Sequence, residues 1–341
     1  MNVSIGILAY QEETRIGALL ESLTGQTLLA DAEFTTTIHC VPNGCRDKTA
    51  GFARAGLEKL QRSAPRVAVA VHEIAEPGKA NAWNRFVHEF SAADADMLLL
   101  LDADIQLGEP GCLLQVVRGL RDHPGAVVAV DTPVKDIALS SHPSARDKMS
   151  LAASNIQLSG IPKLTGHLYC ARAGALRRIW LPPGLLVEDG FLKAMLLTEG
   201  FSQPENTAGI VRAAGATHTF QAVKTFAEWF KHERRIFNGT AVNIALFEVL
   251  QKKGSIDGHT GEFIRDENVR DPDWVNVVVR SRLRDGIPGA AGFIRAPLSQ
   301  AMRLPIAKRV KAVPIAAVRS LLNAAVFLAC RQDLRAGRLH W

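Results

Sequence analysis

The sequence predicts an α/β fold, a Rossmann-like and mostly parallel sheet flanked by helices, with a helical appendage at the C-terminus. Three observations carry this. Strand-like apolar runs and helix-like stretches alternate four times over about the first hundred residues, the pattern of a parallel sheet covered by helices. The composition, 47% hydrophobic and 22% charged, is that of a globular chain with a large core. The basic charge gathers at one end: residues 301–341 hold Arg303, Lys308, Arg309, Lys311, Arg319, Arg331, Arg335 and Arg338 against the single acid Asp333. That tail is net +7 in a chain of net +6, so the remaining body is close to neutral.

Taken in order, residues 3–9 form a short apolar, β-branched run suited to a buried strand. Ile16, Leu19, Leu20 and Leu23 follow at helical spacing. Residues 35–41 read as a second strand, ended by the turn signal PNG. A helix over 49–61 and a strand over 66–74 come next. EPGKANAWNRFVHEF is a glycine-containing loop that enters a helix, and residues 96–101 make the fourth strand. Sheets of this kind bind ligands at the carboxyl ends of their strands. Tyr10, Asn43, Lys79 and the pair Asp102/Asp104 each fall just past a predicted strand, so they are expected to meet on one edge.

The stretch LLLLDADIQL is the sharpest local signal. A strand buried on both faces that ends in two carboxylates needs a partner for them. Hard ions such as Mg²⁺ or Mn²⁺ use one or two protein carboxylates and leave positions for diphosphate oxygens. The plain alternative is a solvated surface turn. Five cysteines, an odd number with no C-x-x-C pair, indicate neither a disulfide framework nor a zinc cluster and fit a reducing compartment. MNVSIGILAYQEE lacks the basic and long apolar regions of a signal peptide.

Several motifs in one order resemble family 2 glycosyltransferases, whose fold is called GT-A. VSIGILAYQEE resembles the family's opening strand and acidic turn, and PNGCRD its second-strand turn. Gly78, Lys79, Ala82 and Asn84 resemble its G-K-x-x-A-x-N loop, and Asp102-Ala103-Asp104 its D-x-D. LTGHLYCARAGAL resembles the acceptor strand, VEDGFLKAMLLTEG the Glu-Asp helix start, and HERRIFNG the basic Q-x-x-R-W segment. The resemblance runs over residues 3–239, about two thirds of the chain.

That resemblance implies a GT-A type fold and transfer of one sugar from a nucleoside-diphosphate sugar, UDP-sugar favoured, to a hydroxyl, with inversion. It implies Asp104 as a Mn²⁺ or Mg²⁺ ligand and Asp102 as a contact of the ribose or metal shell; His218, in ATHTF, reads separately as a further candidate metal ligand or as a structural histidine. Ala9, Tyr10, Glu12, Asn43, Lys79, Asn84, Asp102, Ala103 and Arg235 would line the nucleotide-sugar site, and Gly166 and His167 the acceptor site. Asp189 would be the general base, with Glu188 as its structural or acceptor-positioning partner. One acid of that pair also reads as a helix N-cap. Residues 1–107 would then be the nucleotide-sugar half, 108–250 the acceptor half, 251–300 a polar loop or lid, and 301–341 a basic amphipathic tail.

Departures from the family pattern sharpen the reading. Pro42 stands where the family has a base-binding Asp; His232 and Ile236 replace its Gln and Trp. Loss of that Trp argues for a non-processive enzyme. The apolar stretch of the tail is broken by Pro314, Arg319 and Asn323, too interrupted for a membrane span. It suits a helix lying on an anionic membrane at the cytoplasmic face of the inner membrane, with a lipid or glycan acceptor and no nucleic-acid partner. The competing reading of the tail is a helix packed on the body or in a dimer. For the whole chain the alternatives are a nucleotidyltransferase and a non-catalytic docking protein; the first wants an Arg-containing, Gly-rich loop where AYQEE stands. A dinucleotide fold wants G-x-G-x-x-G there and lacks it.

Overall fold

A computed structural model describes residues 1–139, 162–223, 225–282, 287 and 290–335. Residues 336–341 of the expected tail, Arg338 among them, lie outside the described residues. The chain divides into two compact units. One comprises residues 1–181, 188–222 and 253–266; the other comprises 182–187, 223–252 and 267–341.

The first unit is built on an eight-stranded sheet. Its elements are β1 (Asn2–Ala9), α1 (Ile16–Thr24), β2 (Thr35–Pro42), α2 (Thr49–Ser63), β3 (Ala68–Val71), α3 (Lys79–Arg85), β4 (Met97–Asp102), β5 (Gln106–Leu107), α4 (Cys112–Arg121), β6 (Val128–Lys135), β7 (Leu168–Arg172), α5 (Ala173–Leu176), α6 (Glu188–Leu197) and β8 (Ile210–Phe220). Strand order is β3-β2-β1-β4-β7-β6-β8-β5. The β3-β2-β1-β4 half is parallel throughout. The other half is mixed: β7 runs antiparallel to β4 and β6, β6 is parallel to β8, and β5 is antiparallel to β8.

The parallel half is where the alternating pattern of the sequence is realised. In β4, Leu99 and Leu101 join the cluster formed with Ile5, Ile7, Leu19, Leu57 and Leu113. Leu98 and Leu100, on the opposite face by the two-residue period, are equally buried. This is the signature of a central strand covered on both faces. The sheet is continuous from β4 into β7, so the expected halves meet in one sheet at residue 107, while residues 182–187 and 223–250 of the expected acceptor half fall in the other unit.

The polar loop or lid expected over 251–300 is mostly helical in its described residues. α7 (Phe226–Asp257), α8 (Thr260–Arg270) and α9 (Trp274–Arg282) run through it, followed by α10 (Ala290–Met302) and α11 (Ile306–Arg335). The turn residues Gly258 and Asp271-Pro272 mark the breaks between helices and not an open loop. Thr260 Oγ1 donates to the Gly200 carbonyl at 2.6 Å, and Ile264 of α8 is fully buried. In the helical unit, Trp274, Val275 and Val279 of α9 are buried, while Phe237, Val326 and Cys330 form a small core with Phe293 and Phe327 against it.

α11 runs unbroken through Pro314, Arg319 and Asn323, and an 18-residue window within Ala312–Asp333 has mean hydropathy 1.8, which by length and composition alone is enough to cross a membrane.

Candidate active site

The carboxyl ends of β1, β2 and β4 converge as expected. Ala9 closes β1, and its carbonyl accepts the Asn43 backbone N–H at 2.9 Å and the Asn43 side-chain amide at 2.8 Å. Asn43, 2% exposed, uses its Oδ1 to accept the Gly78 N–H at 3.0 Å. It therefore ties three strand-end loops together, and its amide faces protein instead of the open edge. Tyr10, next along, is 51% exposed. The loops after β1 and β2 are laced by Gln11 Oε1, which accepts the Arg46 N–H at 2.8 Å, and by the Glu12 N–H, which donates to Thr49 Oγ1 at 2.7 Å.

Beneath that edge lies a buried ionic triad. Gly78, with φ +136, turns the chain so that Lys79 opens α3, and the Lys79 ammonium reaches Asp102 and Glu188, each at 2.7 Å. Burial works against the ammonium, but the carboxylates of Asp102 and Glu188 outweigh it and push the Lys79 pKa up. Burial pushes Asp102 up to about 7 against the pull of that ammonium. The triad is floored by Trp83 and Tyr169; the indole Nε1–H donates to the phenol oxygen at 2.7 Å. One cation set between two carboxylates leaves an excess negative charge.

Gly166 caps the triad. Its φ is +73, and a Cβ built on it would lie 3.1 Å from Glu188 Oε1 and 3.3 Å from Asp189 Cβ. Only glycine allows both the left-handed backbone and the close approach. The carbonyl of His167 accepts the Asp102 N–H at 2.9 Å, joining the acceptor segment to the D-x-D. Glu188 is buried at the start of α6, while Asp189 is partly exposed and its Oδ1 accepts its neighbour Gly190 N–H at 2.7 Å. The two acids are therefore distinct: Glu188 is buried and held by Lys79, and Asp189 is partly exposed.

A second cluster stands at the lip. Asp104, its side chain 36% exposed, lies 3.4 Å from Arg15 Nη1, and Arg15 Nε is 3.4 Å from Glu12 Oε2. Burial, and then the neighbouring Asp104, push Glu12 up to about 7. Ala103 between the two acids is buried, its N–H donating to the Leu8 carbonyl at 3.1 Å.

His218 sits on β8, opposite Leu107 of β5. It is fully buried, with Nδ1 2.6 Å from Asp131 Oδ2 and Nε2 without a hydrogen-bond partner. His167 packs edge-on to it with ring centroids 5.5 Å apart, and Phe220 stacks on His167. A histidine whose far nitrogen is fixed by a carboxylate is oriented as metal ligands commonly are.

Some expected residues have other work. Asn84 is committed to Leu181, donating to its carbonyl and accepting its N–H, each at 2.9 Å. It closes a structural clamp where the motif implies a sugar contact. Arg235 is exposed on α7 in the helical unit. The motif also implies a Lys79 that faces a diphosphate; here it is the counter-ion of two carboxylates. Arg15 and Asp131 belong to none of the motifs. Their available signals are an arginine three residues after Glu12 and an acid inside the strand VAVDTPV.

The residues fit a hard divalent ion. Asp104 is open, Glu12 Oε2 is buried without a hydrogen bond, and His218 Nε2 is unpartnered. Among the described residues no three His, Cys, Asp or Glu side chains already converge as a cage. An ion held by one or two carboxylates and by substrate phosphate oxygens needs none.

Comparison with known proteins decides the family. The model of "Glycosyl transferase family 2" matches residues 4–180, just over half the chain, and includes most of β1, the triad's Lys79 and Asp102, and Gly166. The chain belongs to glycosyl transferase family 2. It is thus a glycosyltransferase by family, and its curled, mostly parallel sheet with C-terminal helices is the GT-A fold. A mannosyltransferase from Pyrobaculum calidifontis, solved with GDP-Man and Mn²⁺, superposes with a TM-score of 0.56 at 15% identity, over 97% of this chain and 87% of that one. Glucosyl-3-phosphoglycerate synthase from Mycobacterium tuberculosis is matched at a TM-score of 0.46 and 18% identity, over 70% of this chain and 77% of that chain. A search of curated protein sequences finds no match.

Proposed function

We propose that this family 2 enzyme is an inverting, metal-dependent and non-processive glycosyltransferase, moving one sugar from a nucleoside-diphosphate sugar to a hydroxyl acceptor. The observation that carries the reading is the division of labour around Gly166: a buried, neutralised Glu188 beside a partly exposed Asp189, directly above the Lys79–Asp102 pair.

The exposed Tyr10 ring at the end of β1 can stack on a base, while Pro42 and the inward-facing Asn43 leave no carboxylate there to select uracil. Asp104, with Asp102 behind it and His218 of β8, the strand paired with β5, as a further candidate, would hold Mn²⁺ or Mg²⁺, which supplies charge neutralisation for the departing diphosphate. Lys79 holds Asp102 and Glu188 in position, so that the excess negative charge of the site stays fixed toward the edge. Asp189 removes the proton of the acceptor hydroxyl as the oxygen attacks the anomeric carbon. The bond to the diphosphate breaks on the opposite face, and the carbon inverts in one displacement. No carboxylate need act as nucleophile. Gly166 and His167 line the acceptor side. The basic tail and the apolar helix α11 support a lipid or lipid-linked acceptor at the cytoplasmic face of a membrane.

The test is nucleoside-diphosphate release and glycan transfer with candidate donors in Mn²⁺. Asp189→Asn should keep donor binding and lower turnover by roughly 10²-fold or more, the usual scale for a general base. Glu188→Gln should cost less turnover and more stability. The reverse order of the two variants would assign the base to Glu188.

A further inference from the structure

Helix α11 is built inside out. Its protein-facing side carries Ala316, Ser320, Asn323, Val326, Cys330 and Asp333, all buried. Two polar members of that side find partners there: the Asn323 amide donates to the Phe293 carbonyl at 2.8 Å, and Asp333 pairs with Arg234. The outward side carries Val310, Ile315, Val318, Leu321 and Leu328, all exposed, with Leu321 at 72%. Positions 310, 314, 318, 321, 325 and 328 follow the three-and-four spacing of one helix face, and in this chain they are Val, Pro, Val, Leu, Ala and Leu. A water-facing helix has the opposite arrangement. The stripe is about 27 Å long at 1.5 Å per residue, longer than the scattered apolar exposure of an ordinary monomer.

The charges around the stripe select its occupant. Arg303, Lys308, Arg309 and Lys311 precede or border its start in the sequence, and Arg331, Arg335 and Arg338 follow its end. The acid in this region, Asp333, is turned inward to Arg234. Apolar length bracketed by cations matches hydrocarbon bordered by anionic headgroups. A second copy of the chain would bring two sets of like charges together along the same face. We infer that the outward face of α11 docks on an anionic lipid bilayer, lying in the plane of its interface with Ile315, Val318, Leu321 and Leu328 in the acyl region.

Lying in the plane, and not spanning, follows from the inward side. To cross hydrocarbon, α11 would have to release Asn323 and Asp333 from their partners. The alternative is to carry in α7, which supplies Arg234 and exposes Lys231, His232 and Arg235. Charged side chains at that depth are expensive. This deepens the membrane association proposed above by naming its surface, and vesicle binding is read independently of transfer, so either can fail alone.

The experiment is co-sedimentation of the full chain with extruded phosphatidylcholine vesicles, with and without about 30% phosphatidylglycerol, at low and high salt. The compared variant is Leu321→Glu/Leu328→Glu, at two exposed positions, checked by circular dichroism, thermal melting and size exclusion. The expected result is binding to the anionic vesicles that weakens with salt, and roughly tenfold or greater loss in the variant with an unchanged fold. A variant that binds like the parent, or a parent that binds neither vesicle or both equally, overturns the assignment. So does a lipid-free dimer that the variant turns into a monomer, which would make the face a contact between copies. Retention on vesicles through a carbonate wash would overturn the in-plane geometry in favour of a span.

Discussion

Replacing Lys79 with methionine keeps most of the side-chain volume and removes the one positive charge of the triad. Lys79 Nζ is 2.7 Å from oxygens of both Asp102 and Glu188. In the variant, two carboxylates face each other with nothing between them; at about 5 Å and an effective dielectric near 20 they repel by about 3 kcal/mol when both are ionised, an upper bound near neutral pH because Asp102, already raised to about 7, takes up a proton once the ammonium is gone. The cost of breaking a buried pair by removing one partner, about 3–5 kcal/mol, is of the same size. At about 1.4 °C per kcal/mol, the scale for a chain of 341 residues, Lys79→Met should melt about 4 °C below the parent. The double variant Lys79→Met/Glu188→Gln removes one of the opposed charges and should recover part of the loss. Urea unfolding of the parent, the two single variants and the double variant gives the coupling energy directly. Additivity within about 0.5 kcal/mol would mean that the three side chains are not an electrostatic unit, and the account of the site built on them would fall.

Two further outcomes follow from the geometry. Asp104→Ala removes a partly exposed carboxylate whose partner is Arg15, so melting in the absence of nucleotide should change by less than about 1 kcal/mol in equivalent stability. The Mn²⁺-dependent rise in melting temperature with a nucleoside diphosphate should disappear; its survival would remove Asp104 as a ligand. Away from the site, burial and the neighbouring His72 hold His39 down to about 4, its Nδ1 lying 3.0 Å from His72 Nε2. At His39 the unfolded chain therefore takes up a proton that the folded chain refuses between about pH 6.5 and 4, so the His39 contribution to stability falls as pH drops through that window, while the raised carboxyls of Glu12 and Asp102 act in the opposite direction. The His39 contribution, read as the difference between parent and variant, should lose on the order of 1–2 kcal/mol between about pH 7 and 5. His39→Gln should flatten it, and an unchanged slope would place the pH dependence elsewhere.

The sheet edge was legible because its determinants are local. A run such as LLLLDAD states both its burial and its end within a few residues, and PNG and EPGK state where the neighbouring strands stop. The partners of those residues were less legible. Asp102 and Glu188 are 86 positions apart, and nothing local to either shows that one lysine stands between them; that takes the antiparallel return of β7 and the turn at Gly166. Asn84 lies in a motif and still points away from the ligand edge, because a motif fixes spacing while the fold fixes direction. The 251–300 segment was misleading for a related reason. Gly258 and Pro272 fall between helices once Ile264 and Trp274 have something to pack on, and the apolar residues are too few to show periodicity without those partners.

The same limit applies with more force to α11 and decides what its composition means. Arg319 and Asn323, four residues apart, read from the sequence as the polar face of an amphipathic helix, with the aliphatic residues on its other faces. The structure divides them. Asn323 is buried and bonded to Phe293, Arg319 stands exposed at the border, and the aliphatic stripe faces outward. Hydrophobic periodicity reports that a helix has two faces and says nothing about which one meets protein. Here the inward face is recognised only through partners 30 or more residues distant, Phe293 for Asn323 and Arg234 for Asp333. The inward face holds Asn323 and Asp333 against protein partners while leucine faces outward, so which face meets protein is decided by the fold around the helix and not by the composition of the helix itself.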